Sequence, residues 1–131
     1  MPLYLLDSNV LIDLLHGRQG RDKLVRNLIL KKERLICCAI TVAELYSGIL
    51  PKDIPKLEKL FRSLEYFDLT PEVARNAGLL RGEYRRKGIT LSLADATLAA
   101  LAMTEEMVLV TANRKDFPMP GLVLLPLTGI N

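Results

Sequence analysis

The sequence predicts an α/β protein, a three-layer α/β/α sandwich around a mainly parallel central sheet. Two observations carry this. Short apolar runs, too short for helices, alternate along the chain with longer segments of helical periodicity. The runs are apolar throughout, as in parallel strands covered by helices on both faces. A third observation concerns chemistry. Asp7, Glu44, Asp95 and Asp116 each stand where a predicted strand gives way to a loop or helix. Ligands of open parallel sheets bind outside the carboxyl ends of the strands, so side chains from four distant stretches converge on one pocket.

The elements follow in order. Leu3 to Leu6 suits a buried strand, closed by Asp7. Ser8 is placed to cap a helix through Val10, Leu11, Leu14 and Leu15, and Gly17 ends it. A second helix fits Arg21 to Lys32, and Leu35 to Ile40 reads as a second buried strand. Thr41-Val42-Ala43-Glu44 has the form of a capping box opening a third helix that stops near Gly48. After Pro51 and Pro55 comes an amphipathic helix with Leu57, Leu60, Phe61 and Leu64 inward. Tyr66 and Phe67 suggest a third strand. Thr70-Pro71-Glu72 starts a helix that runs to about Lys87, before Gly88. Ser92-Leu93-Ala94-Asp95 is a second capping box, with Asp in place of Glu, and its helix is apolar almost all round, hence buried. Met107 to Val110 is a fourth strand, and Leu122 to Leu125 is expected to be a last one.

A chain of 131 residues suits one domain, and no linker, repeat or low-complexity segment divides 1–131. Half of the residues are apolar, enough for a core. No stretch reaches the roughly 20 apolar residues that span a bilayer. The N-terminus lacks a positive n-region and meets Asp7 early, unlike a signal peptide. The expectation is a cytoplasmic protein. Cys37 and Cys38 are adjacent and point to opposite faces of a strand, which suits buried thiols rather than a disulfide or a metal pair. His16, the only histidine, leaves no zinc motif and is expected to end the first helix. The net charge is +3. Arg85, Arg86 and Lys87 form one basic run, which on charge alone reads as a solvated helix end.

Taken singly, Asp7, Glu44 and Asp95 each read as a helix cap. Together they read differently. Two carboxylates about 5 Å apart repel by roughly 3 kcal/mol at an effective dielectric near 20. Several do not stay ionised side by side without a cation or raised pKa values. Oxygen ligands with no cysteine or second histidine select Mg²⁺ or Mn²⁺ over zinc. Such an ion lowers the pKa of water and suits phosphodiester hydrolysis without a protein nucleophile.

Four segments arrive in a telling order: Leu5-Leu6-Asp7-Ser8-Asn9, Thr41 to Gly48, Leu91 to Ala96, and Val110-Thr111-Ala112-Asn113-Arg114-Lys115-Asp116-Phe117. In this they resemble the PIN-domain family, most closely its small VapC-type toxins, over essentially the whole chain. The resemblance implies an α/β/α sandwich and a Mg²⁺- or Mn²⁺-dependent endoribonuclease. It implies Asp7, Glu44 and Asp95 as core acidic ligands, with Asn9 and Thr111 as polar helpers. The fourth acidic position falls at Asn113 or Asp116. Asp116 is the expected one, with Asn113 in support, and the number of metal ions stays open. The resemblance also implies an RNA substrate, a homodimer and a small antitoxin partner. It turns Arg85, Arg86 and Lys87 into candidate contacts for the RNA backbone.

Two other readings stand beside it. A receiver domain of the response-regulator type shares the length, the α/β alternation and the Mg²⁺ requirement, and its phosphoacceptor would be Asp68 after the third strand. That reading lacks an acidic pair at the first strand and leaves Glu44 without a role. A non-catalytic scaffold would keep the fold and bind RNA without cutting it.

Overall fold

The computed structural model describes residues 2–18 and 20–127, so the two ends of the expected 1–131 unit lie outside the described residues. The strands are β1 (Leu3–Leu6), β2 (Arg34–Cys38), β3 (Glu65–Phe67) and β4 (Val108–Val110). The helices are α1 (Ser8–Leu15), α2 (Arg21–Leu30), α3 (Ala39–Gly48), α4 (Ile54–Arg62), α5 (Pro71–Arg86) and α6 (Leu93–Thr104). The sheet has the order β3-β2-β1-β4, and its three strand pairs are parallel.

Strand alternation divides the core into two layers. Leu5, Ile36 and Leu109 point to one face, where they pack with Val73, Ala77 and Tyr84 of α5 and with Leu98 and Leu101 of α6. Leu6, Leu35, Cys37 and Val110 point to the other face, against Leu11 and Leu15 of α1, Leu24 and Leu28 of α2, Leu45 of α3, and Leu57 and Phe61 of α4. The register agrees, since Leu5 lies opposite both Ile36 and Leu109, and Leu6 opposite Val110. This is the expected three-layer sandwich. From Ala96 to Ala102 every residue of α6 is buried, as its apolar sequence requires.

Helix ends follow local chemistry. Thr70 accepts the backbone N–H of Val73 at 3.2 Å, and Pro71 occupies the first turn of α5. His16 is the C-cap of α1, as expected, and Gly17 follows with φ +66°. A backbone at that angle suits glycine because it has no Cβ. Arg21 is buried at the start of α2, its Nε 3.6 Å from Asp13 Oδ2 of α1.

Several boundaries differ from expectation. Asp7, rather than Ser8, caps α1, because its side chain accepts the Ser8 N–H. α2 stops at Leu30, and Lys32 turns the chain with φ +59°. β2 ends at Cys38, and α3 opens at Ala39 with Cys38 as its N-cap. Thr41 therefore lies inside the helix, fully buried and 3.9 Å from the Cys38 sulfur, and does not cap it. The expected last strand is reduced to a single parallel bridge from Leu124 to Leu109. Pro120 and Pro126 flank that bridge, and proline has no N–H to extend a ladder.

Leu101→Ala removes a side chain with no exposure from the α5–α6 layer. The expected loss is about 2–5 kcal/mol of stability in urea unfolding. A loss well under about 1 kcal/mol would contradict its placement in a close-packed core.

Candidate active site

The topology prepares a crevice. From β1 the chain builds outward through β2 to β3, then returns to lay β4 on the other side of β1. The order of strands thus reverses between β1 and β4, where open parallel sheets bind ligands. Because Leu6 and Val110 are in register, the next residues, Asp7 and Thr111, emerge side by side.

Both are almost fully buried. The Asp7 N–H donates to Val110 O at 3.0 Å and locks the crossing. Its carboxylate is held on both oxygens. Oδ1 accepts the Ser8 N–H at 2.7 Å. Oδ2 accepts the Thr111 hydroxyl at 2.7 Å and the Asn9 amide at 3.3 Å. Asn9 also lies 3.4 Å from Thr111 Oγ1, and its Oδ1 accepts the Ala112 N–H at 3.2 Å. The Asn113 N–H reaches Thr111 Oγ1 at 3.1 Å. Asn9 and Thr111 therefore splice the two strand ends and fix one rotamer of Asp7.

A cleft of about 480 Å³ opens above this network, and Asp7, Glu44, Asp95 and Asp116 all line it. Ser8, Asn9, Ser92 and Asn113 add polar wall, and Ile12 and Leu45 add apolar wall. Asp95 reaches the cleft from the first turn of α6. There Ser92 caps the helix by accepting the Asp95 N–H at 3.0 Å, which is the expected capping box at work. Glu44 reaches it from the second turn of α3, so it does not serve as the cap residue that the sequence suggested. Asp116 and Asn113 come from one short turn, Arg114–Asp116, whose N-cap is Asn113. Both fourth-position candidates thus face the same cleft.

The charges feel one another. Partial burial pushes the Glu44 carboxyl above its ordinary value, the negative charges of Asp7 and Asp95 add to this, and a hydrogen bond from Ser8 opposes it. Burial likewise raises Asp95, a hydrogen bond from Ser92 opposes the rise, and the charges of Asp7 and Asp116 reinforce it. Carboxyls raised in this way are short of positive charge. Among the described residues, no three Asp, Glu, His or Cys side chains already stand close enough to enclose an ion. Magnesium accepts such an open arrangement, because it keeps several waters and takes few carboxylates. The donor set contains oxygen and no sulfur or imidazole, which suits Mg²⁺ or Mn²⁺.

Other expected residues lie elsewhere. Arg85, Arg86 and Lys87 are exposed at the end of α5 and do not line the cleft. Lys87 pairs with Glu83 at 3.4 Å and lies 5.0 Å above the Tyr84 ring. Asp68 follows β3, an edge strand separated from β1 by β2, and it is absent from the cleft wall. A receiver-type sheet places its third strand next to the first, so this topology opposes the phosphoacceptor reading. The buried thiol of Cys37 is pushed up to about 12, mainly by burial, and is inert as a nucleophile. Sequence reasoning missed Ser8 and Ser92 as cleft residues, since both read only as caps. No helix among the described residues is long and apolar enough to cross a membrane.

The raised carboxyls make a signed prediction for metal-free protein. A folded state that holds protons more tightly than the unfolded chain gains stability below the unfolded carboxyl values. It loses that stability as pH rises through the raised folded values of Glu44 and Asp95. Thermal melts in EDTA across about pH 4 to 7 are expected to show a shallower decline for Asp95→Asn. The variant should melt at or above the unmodified chain at neutral pH. A lower midpoint with an unchanged slope would contradict the crowding of charge.

Comparison with known proteins places this geometry. The PIN domain family model matches residues 4–118. Ribonuclease VapC10 of Mycobacterium tuberculosis is 33% identical over 118 residues, covering 89% of this chain and 87% of that protein. The structure of VapBC2 from Rickettsia felis, bound to a DNA fragment from their promoter, superposes with a TM-score of 0.84. It is 26% identical and covers 94% of this chain and 97% of the other. A toxin–antitoxin complex from Klebsiella pneumoniae gives a TM-score of 0.73 at 26% identity, covering 95% and 97% of the two chains. The chain belongs to the PIN domain family, among relatives of the VapC type.

Proposed function

We propose that this protein is a Mg²⁺- or Mn²⁺-dependent endoribonuclease and the toxin of a toxin–antitoxin pair. The single observation that carries the reading is the convergence of Asp7, Glu44, Asp95 and Asp116 on one cleft at the strand-order reversal. The name of the relative VapC10, a ribonuclease, supports RNA as the substrate. The likeness to a toxin–antitoxin complex supports an antitoxin partner. A homodimer belongs to the same reading.

In this proposal Asp7 and Asp95 hold the ion, with Glu44 bound directly or through water. Asp116 completes the acidic wall. Asn9 and Thr111 keep Asp7 in one rotamer, and Asn113 supports the turn that carries Asp116. When bound, the ion supplies positive charge against the phosphodiester and lowers the pKa of water. The chain supplies the rest. Its carboxylates orient the site and receive the proton that water loses as it attacks phosphorus. The P–O bond to the leaving ribose oxygen breaks, and that oxygen takes up a proton.

Asp7→Asn and Asp95→Asn are each expected to reduce RNA cleavage to background while the fold persists, and EDTA should do the same to the unmodified chain. Cleavage retained by both variants would reject the assignment. Calorimetric titration separates the non-catalytic scaffold, which predicts RNA binding with no uptake of Mn²⁺.

The basic end of α5 belongs to the same proposal at a distance from the cleft. Replacing Arg85, Arg86 and Lys87 together with Ala should weaken RNA binding and flatten its salt dependence, since each phosphate contact adds a slope of about 0.7 for single strands. An unchanged slope would remove these residues from the RNA path.

A further inference from the structure

We propose that Arg114 and Lys115 form a phosphate-binding rim that seats RNA backbone beside the acidic cleft. This rests on the nuclease reading above and names the contacts by which that site accepts a polyanion.

The cleft poses a problem of charge. Asp7, Glu44, Asp95 and Asp116 line it, and among the described residues no lysine or arginine does. A divalent ion offsets only part of that charge, so a phosphodiester approaching the wall meets repulsion. The backbone settles there when cations stand close by, outside the wall itself. Of the 18 lysines and arginines in the chain, only Arg114 and Lys115 lie within two positions of a residue that lines the cleft.

The backbone sets their place. Asn113 and Asp116 both line the cleft, and the two cations are the residues between them. The turn is closed by the Asp116 N–H on Asn113 O and by the Phe117 N–H on Arg114 O, each at 3.0 Å. On one side Thr111 Oγ1 accepts the Asn113 N–H at 3.1 Å, and on the other Phe117 is buried. Arg114 and Lys115 themselves are exposed. Among the described residues neither takes part in an ion pair. Other cations are already engaged: Arg34 with Glu65, Lys87 with Glu83, and Arg81 through Nε on Leu91 O at 3.0 Å. Arginine offers a phosphate two parallel hydrogen bonds, and lysine a mobile point charge. An anchored turn that carries one of each at the lip of the site fits the phosphates flanking the one to be cut.

The test follows binding of a fluorescent single-stranded oligouridylate by anisotropy, with the full chain in EDTA so that it does not cut, at about 50 and about 200 mM salt. The double variant Arg114→Gln with Lys115→Gln is compared with the charge-conserving Arg114→Lys with Lys115→Arg. Each phosphate contact on a single strand adds about 0.7 to the salt slope, so losing two should shrink the drop in affinity across this range about sevenfold. The charge-conserving variant is expected to keep the drop of the unmodified chain. Mn²⁺ affinity, read by calorimetry, should stay equal or rise in the Gln variant, because removing cations near carboxylates does not weaken their hold on a metal. An unchanged salt slope in the Gln variant would overturn the inference. So would an equal loss of slope in the charge-conserving variant, or loss of Mn²⁺ uptake in the Gln variant, which would make the turn a brace of the metal site. These three outcomes leave the nuclease reading standing as long as the unmodified chain cuts RNA in Mn²⁺. If the unmodified chain neither binds nor cuts RNA, that reading falls and this inference falls with it.

Discussion

Like charges crowded at one edge of the sheet are the constraint on which the site depends. Four carboxylates, from the residue that follows β1, from α3, from α6 and from the turn after β4, line one cleft, and burial and mutual repulsion raise two of them. Left to itself this arrangement costs stability. The structure offsets it locally with hydrogen bonds: Thr111, Asn9 and the Ser8 N–H on Asp7, and the Ser92 cap under Asp95. A fold that concentrates unfavourable charge in one place, and braces Asp7 on both carboxylate oxygens, has the character of a functional site rather than of a set of helix caps.

The rest of the architecture serves that edge. Parallel strands put their carboxyl ends together, and the reversal of strand order leaves a crevice between β1 and β4. The in-register pair Leu6 and Val110 brings Asp7 beside Thr111. Two apolar layers, one against α5 and α6 and one against α1 to α4, make the platform rigid. α6 is buried over most of its length, yet its capped first turn opens on the cleft, so Asp95 is both firmly held and accessible.

Much of this was legible in the sequence, for identifiable reasons. Continuous apolar runs such as Leu3–Leu6 and alternating helical periods carry the sandwich, since burial on both faces leaves no other pattern. The four acids stood out because each borders an apolar segment. Boundaries were harder. Cys38 has a side chain that gives no cap hydrogen bond, so the sequence pointed to Thr41, and Glu44 was mistaken for a box partner. Leu122 to Leu125 has the composition of a strand, but flanking prolines leave only one bridge. Ser8 was hidden as a cleft residue because its place beside Asp7 reads locally as a helix cap. The positions of Arg85, Arg86 and Lys87 relative to the cleft depend on how α5 packs, and periodicity does not fix that.

The most direct test is a crystal soaked in Mn²⁺ and examined by anomalous diffraction. The account predicts a strong peak in the cleft within about 2.0–2.3 Å of oxygens from Asp7 and Asp95, with Glu44 in the same coordination sphere directly or through a water. A peak remote from these carboxylates, or a cleft that takes up no Mn²⁺ at saturating concentration, would contradict it.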